Sequence, residues 1–208
     1  SSKGCADLLT NSYRNSYFNI QDYKKTHDTL LASCRAGNVI GGGDWAKDRL
    51  ISDIMVSVSQ NKKVIIRSPK ATRPWQHVLE PLSGYLQIGQ KLLQEKVKYA
   101  EAWNFGPSDK ESITVEQVVK NVKSYWDKID YEINNDVTQL HEANLLKLDC
   151  SKANMILKWH EVWPSKVTFE KTVNWYRKFY EDQKVVTLND LQDYLEDAKT
   201  KGLTWTKN

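Results

Sequence analysis

At 208 residues the chain is long enough to bury a sizeable core in one or two domains. Its formal net charge of +4 is spread along the chain, too mild to mark a nucleic-acid binder but suited to an anionic small substrate. Cys5, Cys34 and Cys150 sit at unrelated spacings with no C-x-x-C, which indicates neither a zinc site nor a disulfide framework and reads as reduced thiols in a cytoplasmic protein; no apolar run approaches a membrane span.

The segment to about Tyr17 reads as helix, with Leu9, Tyr13 and Tyr17 at turn spacing, and a polar loop follows from Asn19 to Asp28. Thr29 to Val39 is apolar and bounded by turn signals, as a buried parallel strand would be, and Gly41 to Gly43 end it. Leu50 to Val58 reads as helix and Lys63 to Arg67 as a short strand. Pro81 suits the first turn of a helix whose apolar face is Leu82, Leu86, Gly89 and Leu93. Trp103-Asn104-Phe105 is a strand closed by Gly106-Pro107. Thr114 and Gln117 form a capping box ahead of the stripe Val115, Val118, Val122 and Tyr125. Tyr131 to Ile133 and Leu145 to Leu148 read as strands, and Ser151 as the cap of a helix carrying Ile156 and Leu157. Phe169, Val173, Tyr176 and Tyr180 mark a further helix, and Thr187 opens a last one with Leu188, Leu191 and Leu195. The order is α/β first and mixed α+β after, with the transition near Gly41.

Three stretches carry candidate chemistry: Lys3 within the first helix, Arg35-Ala36-Gly37-Asn38-Val39-Ile40-Gly41-Gly42-Gly43-Asp44-Trp45, and Arg73-Pro74-Trp75-Gln76-His77-Val78. Gly41-x-Gly43-x-x-Ala46 formally fits a degenerate dinucleotide fingerprint, but Asp44 would repel a pyrophosphate and no acidic residue follows at the ribose distance of about 20 residues. A loop that lets backbone approach a ligand at the carboxyl end of the strand is the better reading. Arg73 can pair bidentately with diphosphate oxygens, which Lys cannot. Trp75 is an apolar wall or core, and His77 taken alone reads as a structural histidine. Arg49, in Asp48-Arg49-Leu50-Ile51, is a ligand contact or part of a solvated turn. Cysteine catalysis and Gly-x-Ser-x-Gly hydrolysis have no support.

Together these stretches resemble the C-terminal part of the extended short-chain dehydrogenase/reductases that act on nucleotide sugars. The resemblance implies the end of a Rossmann-type parallel sheet over residues 1–40, then a smaller mixed α+β substrate-binding lobe over 41–208 with segments returning to the sheet. It implies that Lys3 ends a Tyr-x-x-x-Lys motif whose Tyr would lie two residues before Ser1, so that the chain starts inside a catalytic helix, is inactive alone and holds NAD weakly. In such a motif the Lys bonds the nicotinamide ribose and favours tyrosinate. The resemblance further implies that Lys3, Ala36, Gly37, Asn38 and Val39 contact NAD. Asn38, Arg49, Arg73, Trp75 and His77 would then face the substrate. His141, Glu142 and the run Leu148 to Ala153 also match, with Gln139 where many relatives carry a second pyrophosphate Arg. Gly41 to Trp45 and Arg73 to His77 favour 4,6-dehydration of CDP-glucose; the resemblance implies a homo-oligomer for the full-length enzyme, and neither a nucleic acid nor a membrane is expected as a partner. An epimerase, a dehydratase for another nucleotide and a non-catalytic nucleotide-sugar-binding lobe remain the alternatives.

Overall fold

A computed structural model describes residues 2–107, 112–134 and 148–207. Helix α1 (Ser2–Ser16) buries none of its residues, and Leu8, Leu9 and Tyr13 face solvent, as does Tyr17 just beyond it. Polar contacts reach from it to the segment 31–35. Arg14 Nε–H donates to the Leu31 carbonyl at 3.2 Å, and Asp7 pairs with Arg35.

The expected strand over Thr29 to Val39 is instead two short, half-buried strands, β1 (Ser33–Ala36) and β2 (Asn38–Ile40), separated at Gly37. The reason is a change of partner. Two later strands, β4 (Thr72–His77) and β5 (Ala102–Phe105), take one piece each: β1 runs parallel to β5 and β2 parallel to β4. The buried Gln76 amide links the two pairs, donating from Nε2 to the Phe105 carbonyl at 2.9 Å. β4 also pairs antiparallel with β6 (Ser112–Thr114), and β3 (Val64–Ile66) pairs parallel with β7 (Tyr131–Ile133). The predicted strands at 63–67, 103–105 and 131–133 are therefore present. The one at 145–148 falls mostly outside the described residues, and Leu148 itself is not in a strand.

The largest core gathers α2 (Leu50–Ser59), β3, β4, α4 (Val115–Tyr125) and α5 (Ser165–Asp182) around Ile54, Met55, Ile66, Val118, Val119, Phe169, Val173 and Tyr176. The capping box of α4 is formed at both ends. Gln117 N–H donates to Thr114 Oγ1 at 3.2 Å and Thr114 N–H to Gln117 Oε1 at 2.9 Å, an arrangement that satisfies two donors at the helix start. A second core packs Ile88 of α3 (Leu79–Leu93) on Trp103, Phe105 and Trp159. A third joins Val162 and Trp163 to Tyr194 and Ala198 of α6 (Thr187–Thr200).

Two helix faces are the reverse of those expected. In α3, Leu82, Leu86 and Leu93 are exposed, and Glu80, Pro81, Gly84, Gln87 and Ile88 are buried. In α6, Leu188, Leu191 and Leu195 are exposed, and Asp190, Tyr194 and Ala198 are buried. The cause in α3 is that Glu80 finds enough donors to enter the interior. Its carboxylate accepts from Val162 N–H at 3.0 Å, Trp163 N–H at 2.7 Å and Tyr194 O–H at 3.0 Å, and a buried polar group so satisfied can outcompete leucine for the inward face. Close contact selects the same side, because a Cβ at Gly84 would meet the Phe105 ring at 2.2 Å. Ser151 is not a cap either. Its N–H donates to Asp149 Oδ1 at 2.9 Å, and the turn it opens is π-type over Ala153–Leu157, with Leu157 buried and Ile156 exposed.

Candidate functional site

A cleft of about 450 Å³ lies along β2. Lys3, Gly37, Asn38, Val39, Arg49, Arg73 and Trp75 line it, so most of the residues singled out in the sequence come together. Each arrives by a different route. Lys3 comes from the first turn of α1. Asn38 and Val39 belong to β2, where Asn38 lies opposite Trp75 in register. Arg73 and Trp75 occupy alternate positions on β4 and so share a face of it. Arg73 is half-buried, with Nη1 donating to the Thr72 carbonyl at 2.9 Å. Trp75 is buried against Phe169, ring centroids 6.3 Å apart, which makes it both core and cleft wall.

The remaining wall is the 41–49 loop and the start of α2, with Gly41, Asp44, Asp48, Arg49, Ile51 and Ser52. Arg49 is largely exposed and pairs with Asp44 Oδ2 at 2.7 Å. Asp48, in the left-handed region at φ +62°, pairs with Arg67 at 3.1 Å. Burial raises the Asp44 carboxyl, but hydrogen bonds from Ala46 N–H, Arg49 and Ser52 outweigh it and leave the group below its ordinary value. Lys3, Arg49 and Arg73 against Asp44 and Asp48 leave the cleft lining with a small positive excess.

Two expected residues lie elsewhere. Ala36 sits on β1 opposite Phe105 and does not line the cleft. His77 ends β4 with its side chain sealed under Trp163, ring centroids 4.9 Å apart, while Nδ1 accepts from the Leu79 N–H that begins α3 at 3.3 Å. The ring thus serves the start of α3 and does not line the cleft.

The glycines also act differently from expectation. Gly41 lines the cleft, but Gly42 lies flat on the Trp175 indole, where a Cβ would stand 2.0 Å from ring carbons, and Gly43 has φ +84°. Gly42→Ala is expected to push the loop off α5 and cost about 1–3 kcal/mol, as overpacking does. A urea midpoint equal to that of the parent would contradict the contact.

His77 and Glu80 give the fold an unusual pH response. Burial, reinforced by the Lys171 cation, lowers His77 from 6.5 to about 4, so its neutral form stabilises the fold above 6.5 and that contribution is lost as pH falls towards 4. Burial raises Glu80 from 4.5 to about 7 despite its three donors, so its contribution is present below 4.5 and is lost as pH rises to 7. The slopes oppose each other between these limits. Glu80→Gln is expected to unmask the histidine, with stability rising as pH goes from 4 to 6.5; an unchanged profile in denaturant titrations at several pH values would refute this assignment.

Several cleft residues were not singled out from the sequence: Asp44 as the partner of Arg49, Ser52, Ala71, Val115 and Tyr176. Tyr176 carried only a helical-core signal, because nothing local relates it to Asp44, 132 positions earlier. Asn104 donates from Nδ2 to the Asp149 carbonyl at 3.0 Å and shapes the backbone there, in accord with its turn signal. Gln139, His141 and Glu142 lie outside the described residues. A second cavity of about 480 Å³, lined by Gly106, Pro107, Cys150, Trp159, His160 and Glu161 among others, holds none of the residues of the first. Among the described residues no acid, His and Cys cluster could hold a metal ion, and no helix is long and apolar enough to cross a membrane.

This fold is shared with nucleotide-sugar epimerases and dehydratases. UDP-glucose 4-epimerase from Thermotoga maritima, solved with UDP-glucose, superposes with a TM-score of 0.65 at 16% identity, over 86% of this chain and 53% of that one. The dTDP-glucose 4,6-dehydratase of Bacillus anthracis, solved with NAD, gives 0.61 at 18% identity, over 88% and 52%. By sequence the chain is 48% identical over 196 residues to CDP-glucose 4,6-dehydratase of Salmonella typhimurium, a match covering 93% of this chain and 54% of the relative. The chain spans about half the length of that curated relative. No protein-family model matches the sequence.

Proposed function

We propose that the cleft is the nucleotide-sugar site of a 4,6-dehydratase, and that a protein carrying this chain converts CDP-glucose to CDP-4-keto-6-deoxyglucose. The observation that carries this is the convergence of Lys3, Asn38, Arg49 and Arg73 on one cleft, in a chain 48% identical to a CDP-glucose 4,6-dehydratase. The two arginines supply donors to the diphosphate, a stronger contact than neutral groups make. Asn38 serves sugar or phosphate, and Trp75 provides an apolar wall that keeps water from the sugar. In this reading the Lys3 ammonium bonds the nicotinamide ribose and favours the ionised form of a catalytic tyrosine.

The residues present suit one end of NAD only. Lys3 and β2 line the same cleft, whereas no Gly-rich strand-to-helix turn for a pyrophosphate occurs among the described residues. Lys3 and β2 would hold the nicotinamide end of NAD, which would supply reversible hydride acceptance for a dehydration that ends with no net redox change. The test is conversion of CDP-glucose by a protein carrying this chain. A 4-keto-6-deoxy product without accumulated NADH is expected. C4 epimerisation of a UDP-sugar with no dehydration would replace this reading with that of an epimerase.

A further inference from the structure

The loop that forms one wall of the cleft is held by residues far away in sequence. Tyr176, on α5, makes two hydrogen bonds through one hydroxyl to a single residue of the loop. Asp44 N–H donates to Tyr176 Oη at 2.9 Å, and Tyr176 O–H donates to the Asp44 carbonyl at 2.6 Å. The backbone of Asp44 is thereby fixed on both sides. Its side chain accepts from Ala46 N–H at 3.0 Å and holds Arg49 at 2.7 Å. One turn further along α5, the Tyr180 hydroxyl accepts from Trp45 Nε1–H at 2.9 Å. Trp45 packs on Trp175, Tyr176 and Phe179, with centroids 5.9, 6.0 and 5.3 Å away.

This is more apparatus than a surface turn needs. Arg49 has a long, largely exposed side chain that would otherwise sample many rotamers, and ordering such a side chain carries an entropic cost. Prepaying that ordering before a ligand arrives raises affinity with no added ligand contact. We infer that Tyr176 is a positioning residue for the anion-binding wall of the cleft, acting through the Asp44 backbone and carboxylate to set Arg49 in place for a nucleoside diphosphate. The ligand class rests on the function proposed above; the link from Tyr176 to Arg49 does not. Burial holds the Tyr176 phenol up at about 12, so it remains a donor throughout the neutral range.

Two readouts keep the link and the ligand apart. The first needs no ligand. The Asp44 carboxyl, labelled with 13C and titrated by NMR, should move up towards the ordinary carboxylate range in Tyr176→Phe, because the displaced loop loosens its bonds to Ala46 and Arg49. Arg49→Ala should raise it too, and the double variant should show less than the sum of the two, as coupled residues do. Additive shifts, or an Asp44 titration untouched by Tyr176→Phe, would overturn the proposal. The second readout is calorimetric titration with CDP. Tyr176→Phe should weaken binding roughly tenfold in the presence of Arg49 and scarcely at all in the Arg49→Ala background. A parent chain that takes no CDP would remove the nucleotide reading and leave the Asp44 titration to decide the link. If Tyr176→Phe fails to fold, Tyr180→Phe, which loosens the same loop through Trp45, should shift Asp44 in the same direction by less, and no shift there would sink the proposal.

Discussion

Arg73→Ala is expected to lose about 2–4 kcal/mol of CDP-glucose affinity, roughly 30- to 1,000-fold, as removal of a charge-assisted contact to a diphosphate does. Arg73 lines the cleft from the first half of β4, half-buried and beside Trp75. Its fork suits two phosphate oxygens at once, so Arg73→Lys should recover only part of the loss. Unaltered affinity in a folded Arg73→Ala chain would move the diphosphate elsewhere in the cleft.

Glu80→Ala should have the largest effect on stability, about 3–5 kcal/mol. Glu80 is completely buried, and its two carboxylate oxygens take the Val162 and Trp163 N–H groups and the Tyr194 hydroxyl. Truncation leaves three buried donors without that acceptor and a cavity between α3 and α6, two of the few mechanisms that give effects of this size. The second loss would fall on Trp163, whose ring also covers His77 and meets Tyr194 edge-on at 5.1 Å. Denaturant unfolding at pH 5, where most of the Glu80 contribution is still present, measures it. A loss under 1 kcal/mol would mean that water or a shifted side chain takes over the donors.

Local signals proved legible where the physics is local. The Thr114–Gln117 capping box, the helix of Leu50 to Val58 and the strand at Trp103 are all encoded within a few residues, and all are present. The faces of α3 and α6 are not local facts. Leucines at helical spacing define a stripe, but the core lies on the other side of α3 because Glu80 meets donors from residues 162, 163 and 194. The strand over 29–39 likewise reads as one apolar run, and its division at Gly37 is set by two partners, β4 and β5, that come later in the chain. At the site, Lys3, Asn38 and Arg73 stand out through motif spacing and the cleft brings them together. His77 sits in the same motif, yet the start of α3 takes its ring nitrogen. Asp44 and Tyr176 were beyond reach, since a contact across 132 positions leaves no periodic trace.

The central claim is that the cleft along β2 takes a cytidine diphosphate sugar. Backbone amide shifts of the labelled chain during titration with CDP-glucose test it most directly. The claim predicts saturable shifts concentrated at residues 38–41, 44, 48–52, 71, 73 and 115, which line the cleft. Saturable shifts confined instead to residues 149–161, around the second cavity, or an unchanged spectrum at millimolar CDP-glucose, would contradict it.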